Sequence, residues 1–225
     1  MSRTALPYCA FLENPGISLP AAGVNGAPVQ IMSLGKLRLL WAEVEWPFQP
    51  EHMQKNAVEF HSVVSHVFKQ VAVIPFRLLS VFEDAEALRT FIAEHEAAFV
   101  ADLERLSEVV QMECVVYPNP APSQVNATSG AAYLHEKAAK LHAIEQQVQD
   151  VQTGLGSVMR EVRVREAKSG TRIFVLTERG RETEFRAIIE RVPLPDQLAR
   201  RVSGPWPAAE FLSEEVRAPQ VASAK

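Results

Sequence analysis

Two rhythms of apolar residues alternate along the chain, one of period two that predicts strands and one of three to four that predicts helices. The stretch "ALPYCAFLE" (Ala5 to Glu13) has the apolar and aromatic content of a first strand and stops at the turn signal Asn14-Pro15-Gly16. A Gly-, Pro- and Ala-rich loop, 15–28, follows. "PVQIMS" and "KLRLLWAEVEWPF" then flank Leu34-Gly35 as a hairpin whose second strand carries Trp41 and Trp46. From Glu51 to Gln70, the positions Val58, Phe60, Val63, Val64 and Val67 fit one helix face. "VAVIPFRLLSVF" reads as a strand in which Pro75 marks an edge or bulge. Glu83 and Asp84 open an amphipathic helix with acid at its positive end. Leu88, Phe91, Ile92, Phe99, Leu103 and Leu106 keep its spacing to near Glu108.

The remainder is more regular. Val109 to Tyr117 is a strand and "PNPAPSQVNATSG" a proline-rich connector. A long helix runs from about Ala131, with Leu134, Ala138, Leu141, Ile144, Val148, Val151 and Leu155 at alternating three- and four-residue steps, to a stop at Gly154 or Gly156. The period then falls to two in "EVRVREA", Lys168-Ser169-Gly170 turns the chain, and "TRIFVLTE" returns. A helix with Phe185, Ile188 and Ile189 leads to a last segment at Val202. The order strand, helix, strand, strand, helix, strand is that of the ferredoxin-like split βαβ unit. The expected fold is therefore α+β with two domains, a mixed α+β sheet domain over 1–108 and a modified ferredoxin-like domain over 109–225 that includes a C-terminal Gly-Pro-Trp-Pro tail.

Composition agrees with a globular protein of two domains: 225 residues, 47% hydrophobic and 22% charged. The net charge of -4 is unevenly placed, since residues 1–108 hold 8 basic and 13 acidic side chains and the rest are nearly balanced. No apolar run has membrane-spanning length, and "MSRTALPYCAFLENPG" is too polar for a signal peptide, so a cytoplasmic protein is expected. Cys9 and Cys114, each among apolar residues and without a CxxC neighbour, are expected to be reduced core side chains.

The motifs of catalysis are incomplete. "HEAAF" at His95 and "HEKAA" at His135 each place Glu after His but lack the second His that a zinc-protease helix needs. His135 and His142 stand a heptad apart, about 10 Å along a helix, too far to share an ion. "GLGSVM" at Gly154 follows a helix, where a dinucleotide fingerprint needs a preceding strand. No serine lies in GxSxG, and the paired acids Glu182/Glu184 and Glu214/Glu215 lie in charged runs. No enzyme, metal or cofactor is expected. Two alternatives follow from the second domain, whose topology RNA-binding and small-molecule regulatory modules share. Residues 160–201 hold eleven basic against seven acidic side chains, yet the central strands offer only Phe174 and Tyr117 for stacking.

Three stretches together resemble the gas vesicle protein family GvpF/GvpL. "VSGPWPAAEFL" is similar to its C-terminal signature through Gly204, Pro205, Trp206, Pro207 and Phe211. "SGAAYL" resembles the start of its long helix through Gly130, Tyr133 and Leu134, and "IPFRLLSVF" resembles a third motif through Pro75, Arg77 and Ser80. Leu78-Leu79 and Ala208-Ala209 depart from the family pattern, so a diverged member is expected. The resemblance implies a cytoplasmic accessory protein of gas vesicle assembly, bound to the small hydrophobic shell protein (GvpA-like) and to other accessory proteins, with no nucleic acid and no membrane.

Such a partner exposes an apolar face and strand edges, which aggregate unless something covers or pairs with them. The N-terminal sheet with Trp41 and Trp46 is the expected partner surface. Arg77 is expected to pair with the acidic helix start at Glu83 and Asp84. Trp206 is expected to leave the sheet and plug an apolar gap, where truncation to alanine would cost about 3–5 kcal/mol, with Phe211 as a second anchor.

Overall fold

The computed structural model describes residues 2–119, 130–167 and 170–217, with the backbone alone for 130–137 and 140. It divides into two compact units. One is Met1–Glu108 with Pro207–Lys225, so far as these are described, and the other is Val109–Trp206.

In the first unit, β1 (Ser2–Leu12), β2 (Gln30–Leu34), β3 (Leu37–Trp46) and β4 (Ile74–Pro75) form an antiparallel sheet in the order β2-β3-β1-β4. The unbroken apolar run of the first strand is explained by its place. Paired on both sides, β1 is buried from Thr4 to Phe11, so neither face needs polar residues. A bulge between Pro7 and Cys9 sets Tyr8 out of register with β3. Its hydroxyl accepts the Val24 N–H at 2.9 Å and its ring lies 5.2 Å from Phe60. The long 15–28 loop is thereby tied to the sheet and to α1 (Met53–Phe68). Ser18 adds a second tie, its N–H donating to Gln70 Oε1 at 2.9 Å.

α1 buries Phe60, Val63, Val64 and Val67 as the spacing predicts, but Val58 falls outside that face and is 64% exposed. The expected strand through "VAVIPFRLLSVF" is only two residues long. Pro75 has no N–H to continue a ladder, and the chain rejoins β1 at single points, through Phe76 N–H to the Tyr8 carbonyl and a bridge between Phe82 and Ala5. α2 (Ala85–Arg105) starts where the acidic pair predicts, with the Asp84 carboxylate accepting the N–H groups of Glu86 and Ala87 at 2.9 and 2.8 Å.

The second unit follows the predicted order: β5 (Val109–Pro118), α3 (Gly130–Leu155), β6 (Glu161–Ala167), β7 (Gly170–Glu178), α4 (Glu182–Arg191) and β8 (Leu198–Trp206). Its antiparallel sheet runs β6-β7-β5-β8, the ferredoxin-like arrangement. Met112, Cys114 and Val116 of β5 and Ile173 and Val175 of β7 meet Ile144, Val151 and Leu155 of α3 and Phe185 and Ile189 of α4. Leu141 lies outside this stripe, 54% exposed.

The tail differs from expectation in two ways. Residues 207–217 belong with the first unit, not with the ferredoxin-like one. There Phe211, Leu212 and Val216 are buried, and α5 (Glu214–Arg217) packs on α2. The physical cause is a polar clamp at the end of α2. The buried Asp102 carboxylate accepts the Ser213 N–H at 2.7 Å and an Arg105 guanidinium N–H at 2.8 Å, and the same Arg105 nitrogen donates to the Phe211 carbonyl at 2.6 Å. The two aromatics also exchange roles, since Trp206 stays in β8 and is 36% exposed whereas Phe211 is 1% exposed. Phe211→Ala is therefore expected to lower the unfolding free energy by about 3–5 kcal/mol. Trp206→Ala is expected to cost about 1 kcal/mol, with both read from urea titrations.

Candidate functional site

The Gly-Pro-Trp segment is a bulge. Gln111 of β5 pairs with Trp206 and Glu113 with Ser203, so Met112 alone stands opposite Gly204 and Pro205. Gly204 has φ +113° and lies against β5, where a Cβ would fall 2.9 Å from the Gln111 carbonyl oxygen and 2.9 Å from Met112 Sδ. Glycine is the residue this backbone admits. An Arg186 guanidinium N–H donates to the Gly204 carbonyl, and the Gly204–Pro205 bond is cis. After the bulge, the Trp206 indole N–H donates to Ser203 Oγ at 3.2 Å.

That serine belongs to a polar chain across three strands. Ser203 Oγ donates to Glu113 Oε2 at 3.1 Å, Arg172 Nε donates to Glu113 Oε1 at 2.5 Å, and the Arg172 guanidinium lies 5.0 Å over the Phe174 ring. Glu113 is buried and Arg172 half-exposed, so the carboxylate is compensated by one cation and one hydroxyl. The arrangement fixes strands and holds no open coordination site. It also bears on the RNA-binding alternative, because Phe174 is 2% exposed and lies under the arginine, leaving no free face for a base.

The other motif residues separate by burial. Pro75 is half-buried in β4, Ser80 is buried, and Arg77 is exposed. The expected pairing of Arg77 with Glu83 or Asp84 does not form, because the Asp84 carboxylate is engaged as the helix cap. Gly130, Tyr133 and Leu134 fall in the first turns of α3, whose side chains lie outside the described residues. Trp41 and Trp46 are both half-buried, and β3 is regular between them. Five residues apart, they point to opposite faces of the sheet. Trp46 shares its face with the buried Ala42 and Val44 and meets Phe48 edge-on at 5.1 Å. Trp41 shares its face with the exposed Glu43 and Glu45 and is paired across the strand with Gln30. A single flat partner would reach one of them, and Trp41 is the one beside an exposed surface.

The described histidines serve local structure. His95 bonds the Phe91 carbonyl at 2.8 Å and stacks on that ring, His61 bonds Ser65, and His66 bonds Ser18. His142 lies 3.9 Å from Glu145 in the open. Among the described residues no group of three or more His, Cys, Asp or Glu side chains could hold a metal ion. No helix among them is long and apolar enough to cross a membrane.

Comparison with known proteins decides the family. The family described as "Gas vesicle synthesis protein GvpL/GvpF" matches residues 6–213. The chain belongs to the GvpL/GvpF family. The crystal structure of the gas vesicle protein GvpF from Anabaena sp. PCC7120 superposes with a TM-score of 0.78 at 13% identity, covering 94% of this chain and 97% of that one. GvpF from Microcystis aeruginosa gives 0.75 at 14% identity, with 93% and 99% covered. No curated protein sequence matches the chain. At such identities the structural likeness speaks for the fold, and the same two antiparallel sheets are carried by a very different set of side chains. Asp102, Glu113 and Arg172 escaped sequence reading because lone charges carry no spacing signal. A charge inside an otherwise apolar strand, as Glu113 is in "VVQMECVVY", was the one available hint.

Two outcomes are expected. Arg172→Met leaves Glu113 buried without its cation and lowers stability by about 1–3 kcal/mol in denaturant titration. Burial pushes the Cys114 thiol up to about 11 and Cys9 higher still, so both stay protonated at pH 8. Ellman's reagent at that pH is expected to find no reactive thiol in the native protein and two after unfolding in guanidinium.

Proposed function

We propose that this member of the GvpL/GvpF family is a non-enzymatic accessory protein of gas vesicle assembly. It binds the small hydrophobic shell protein (GvpA-like) while the shell is nucleated, in the cytoplasm and at the growing vesicle. The observation that carries the reading is the extent of the family match, which takes in nearly the whole of both units. A supporting observation is the exposed apolar side chains of the first unit, Leu19, Ile31, Val58 and Leu79, each 41% exposed or more. The first unit also carries the acidic excess of the chain, which keeps such a surface soluble between encounters.

Trp41 is the anchor in this reading. A large, half-buried aromatic beside an exposed surface contributes contact area at small entropic cost. Trp46 belongs to the packing around Phe48.

The test is capture of the bead-immobilised shell protein by the full-length chain at low and high salt. Retention that persists in high salt is expected, since apolar burial is little screened. Trp41→Ala is expected to weaken capture about 30-fold, or about 2 kcal/mol, with the far-UV circular dichroism unchanged. A wild-type chain that retains no shell protein would end this reading, and salt-sensitive retention of RNA would favour a nucleic-acid role instead.

A further inference from the structure

Four strands form the edges of the two sheets, and three of them are protected against pairing with another chain. β4 is two residues long and ends in Pro75. β6 carries Glu161, Arg163, Arg165 and Glu166. β8 carries Arg200 and Arg201 and is interrupted by the Gly204–Pro205 bulge. Charge, proline, shortness and bulges are the ordinary ways to blunt an edge. The fourth edge, β2, has none of them. Its sequence is QIMSL, its register with β3 is continuous over all five residues, and no strand lies beyond it.

The hairpin turn says which of its backbone groups are open. Leu34 and Leu37 close a two-residue turn at Gly35-Lys36, and Gly35 has φ +48° as the first position of a type II′ turn requires. Leu34 and Leu37 are thus a hydrogen-bonded pair, and by alternation so are Met32 with Leu39 and Gln30 with Trp41. The N–H and C=O groups of Ile31 and Ser33 point the other way, to the free edge. The Ile31 side chain beside them is 46% exposed.

At the Gln30 end the edge opens into a cleft of ≈ 540 Å³. Val24, Ala27 and Pro28 supply apolar lining, and Glu43 and Glu45 supply charge. Glu43 is engaged by Arg3 at 3.4 Å, while Glu45 has no partner among the described residues. The cleft therefore has one carboxylate more than it can neutralise.

We propose that β2 is a strand-addition site, where an extended apolar segment of the shell protein pairs with the Ile31 and Ser33 backbone and places a cationic side chain at Glu45 in the cleft. The inference rests on the reading that the chain binds the shell protein, and assigns that contact to one strand. Main-chain hydrogen bonds supply the affinity of such an addition, and the Ile31 contact and the carboxylate select a segment that is apolar along its length and basic at one end.

The test uses the full-length chain and the immobilised GvpA-like shell protein. In the complex, hydrogen exchange at the Ile31 and Ser33 amides is expected to slow at least tenfold. Ile31→Lys, which charges the edge, and Ser33→Pro, which removes one outward N–H without touching the ladder to β3, are each expected to reduce capture at least tenfold. Ser33→Ala is expected to capture as the wild type does. If Ser33→Pro does not fold, the exchange measurement and Ile31→Lys still decide. Undiminished capture by both variants, with no protection at the two amides, overturns the strand-addition site and leaves the proposed function standing. A wild-type chain that captures nothing overturns both. Light scattering that shows a wild-type dimer split by Ser33→Pro overturns the inference in another way, by assigning the edge to a second copy of the chain.

Discussion

A central strand without a free edge organises each unit. β1 is paired with β3 and β4, and β5 with β7 and β8, so the backbone groups of both are spent inside their sheets. Side chains on such strands have nowhere to find water. In β1 the answer is an apolar run, with Leu6, Tyr8, Cys9 and Ala10 at 0% exposure. In β5 one charge is admitted, Glu113, and it is held by Arg172 and Ser203 from the strands on either side. That polar link runs on to Trp206, so the bulge around Gly204 and the central strand support each other.

The route of the chain makes the same point on a larger scale. It leaves the first unit after α2, completes the ferredoxin-like unit, and returns at Pro207. What holds the returning segment is a pair of charges on the last turn of α2, where Asp102 and Arg105 meet main-chain groups of Ser213 and Phe211. Phe211 and Leu212 supply the apolar burial beside it. The family signature GPWP is therefore the hinge of this return, with Gly204 allowing the bulge and Phe211 providing the anchor.

The polarity of the edges is where fold meets function. A protein that serves a very apolar partner must expose some pairing capacity without aggregating itself. Here three edges are blunted and one is plain, and the acidic excess lies in the unit that carries the plain one. Strand order is also shared, since both sheets place the first strand of the unit between the third and the fourth. In the first unit the 15–28 loop, tied down by Tyr8, stands where the ferredoxin-like unit has its first helix.

Periodicity and punctuation in the sequence determined most of the elements, their order, the ferredoxin-like topology of the second unit, and the helix cap at Asp84. These are local properties, written in spacing and in residues such as Pro, Gly and Asp whose backbone preferences act over a few positions. Local signals failed where a distant strand settles the outcome. "VAVIPFRLLSVF" has strand composition, but pairing needs an N–H at each step and a partner in register, and β1 meets it only at its ends. Trp206 and Phe211 are both large aromatics five residues apart, and nothing in their neighbours says which one is buried. Trp41 and Trp46 read alike until the regular pairing of β3 sends them to opposite faces. Tertiary structure decided these cases because burial, charge pairing and the freedom of an edge belong to pairs of segments far apart in sequence.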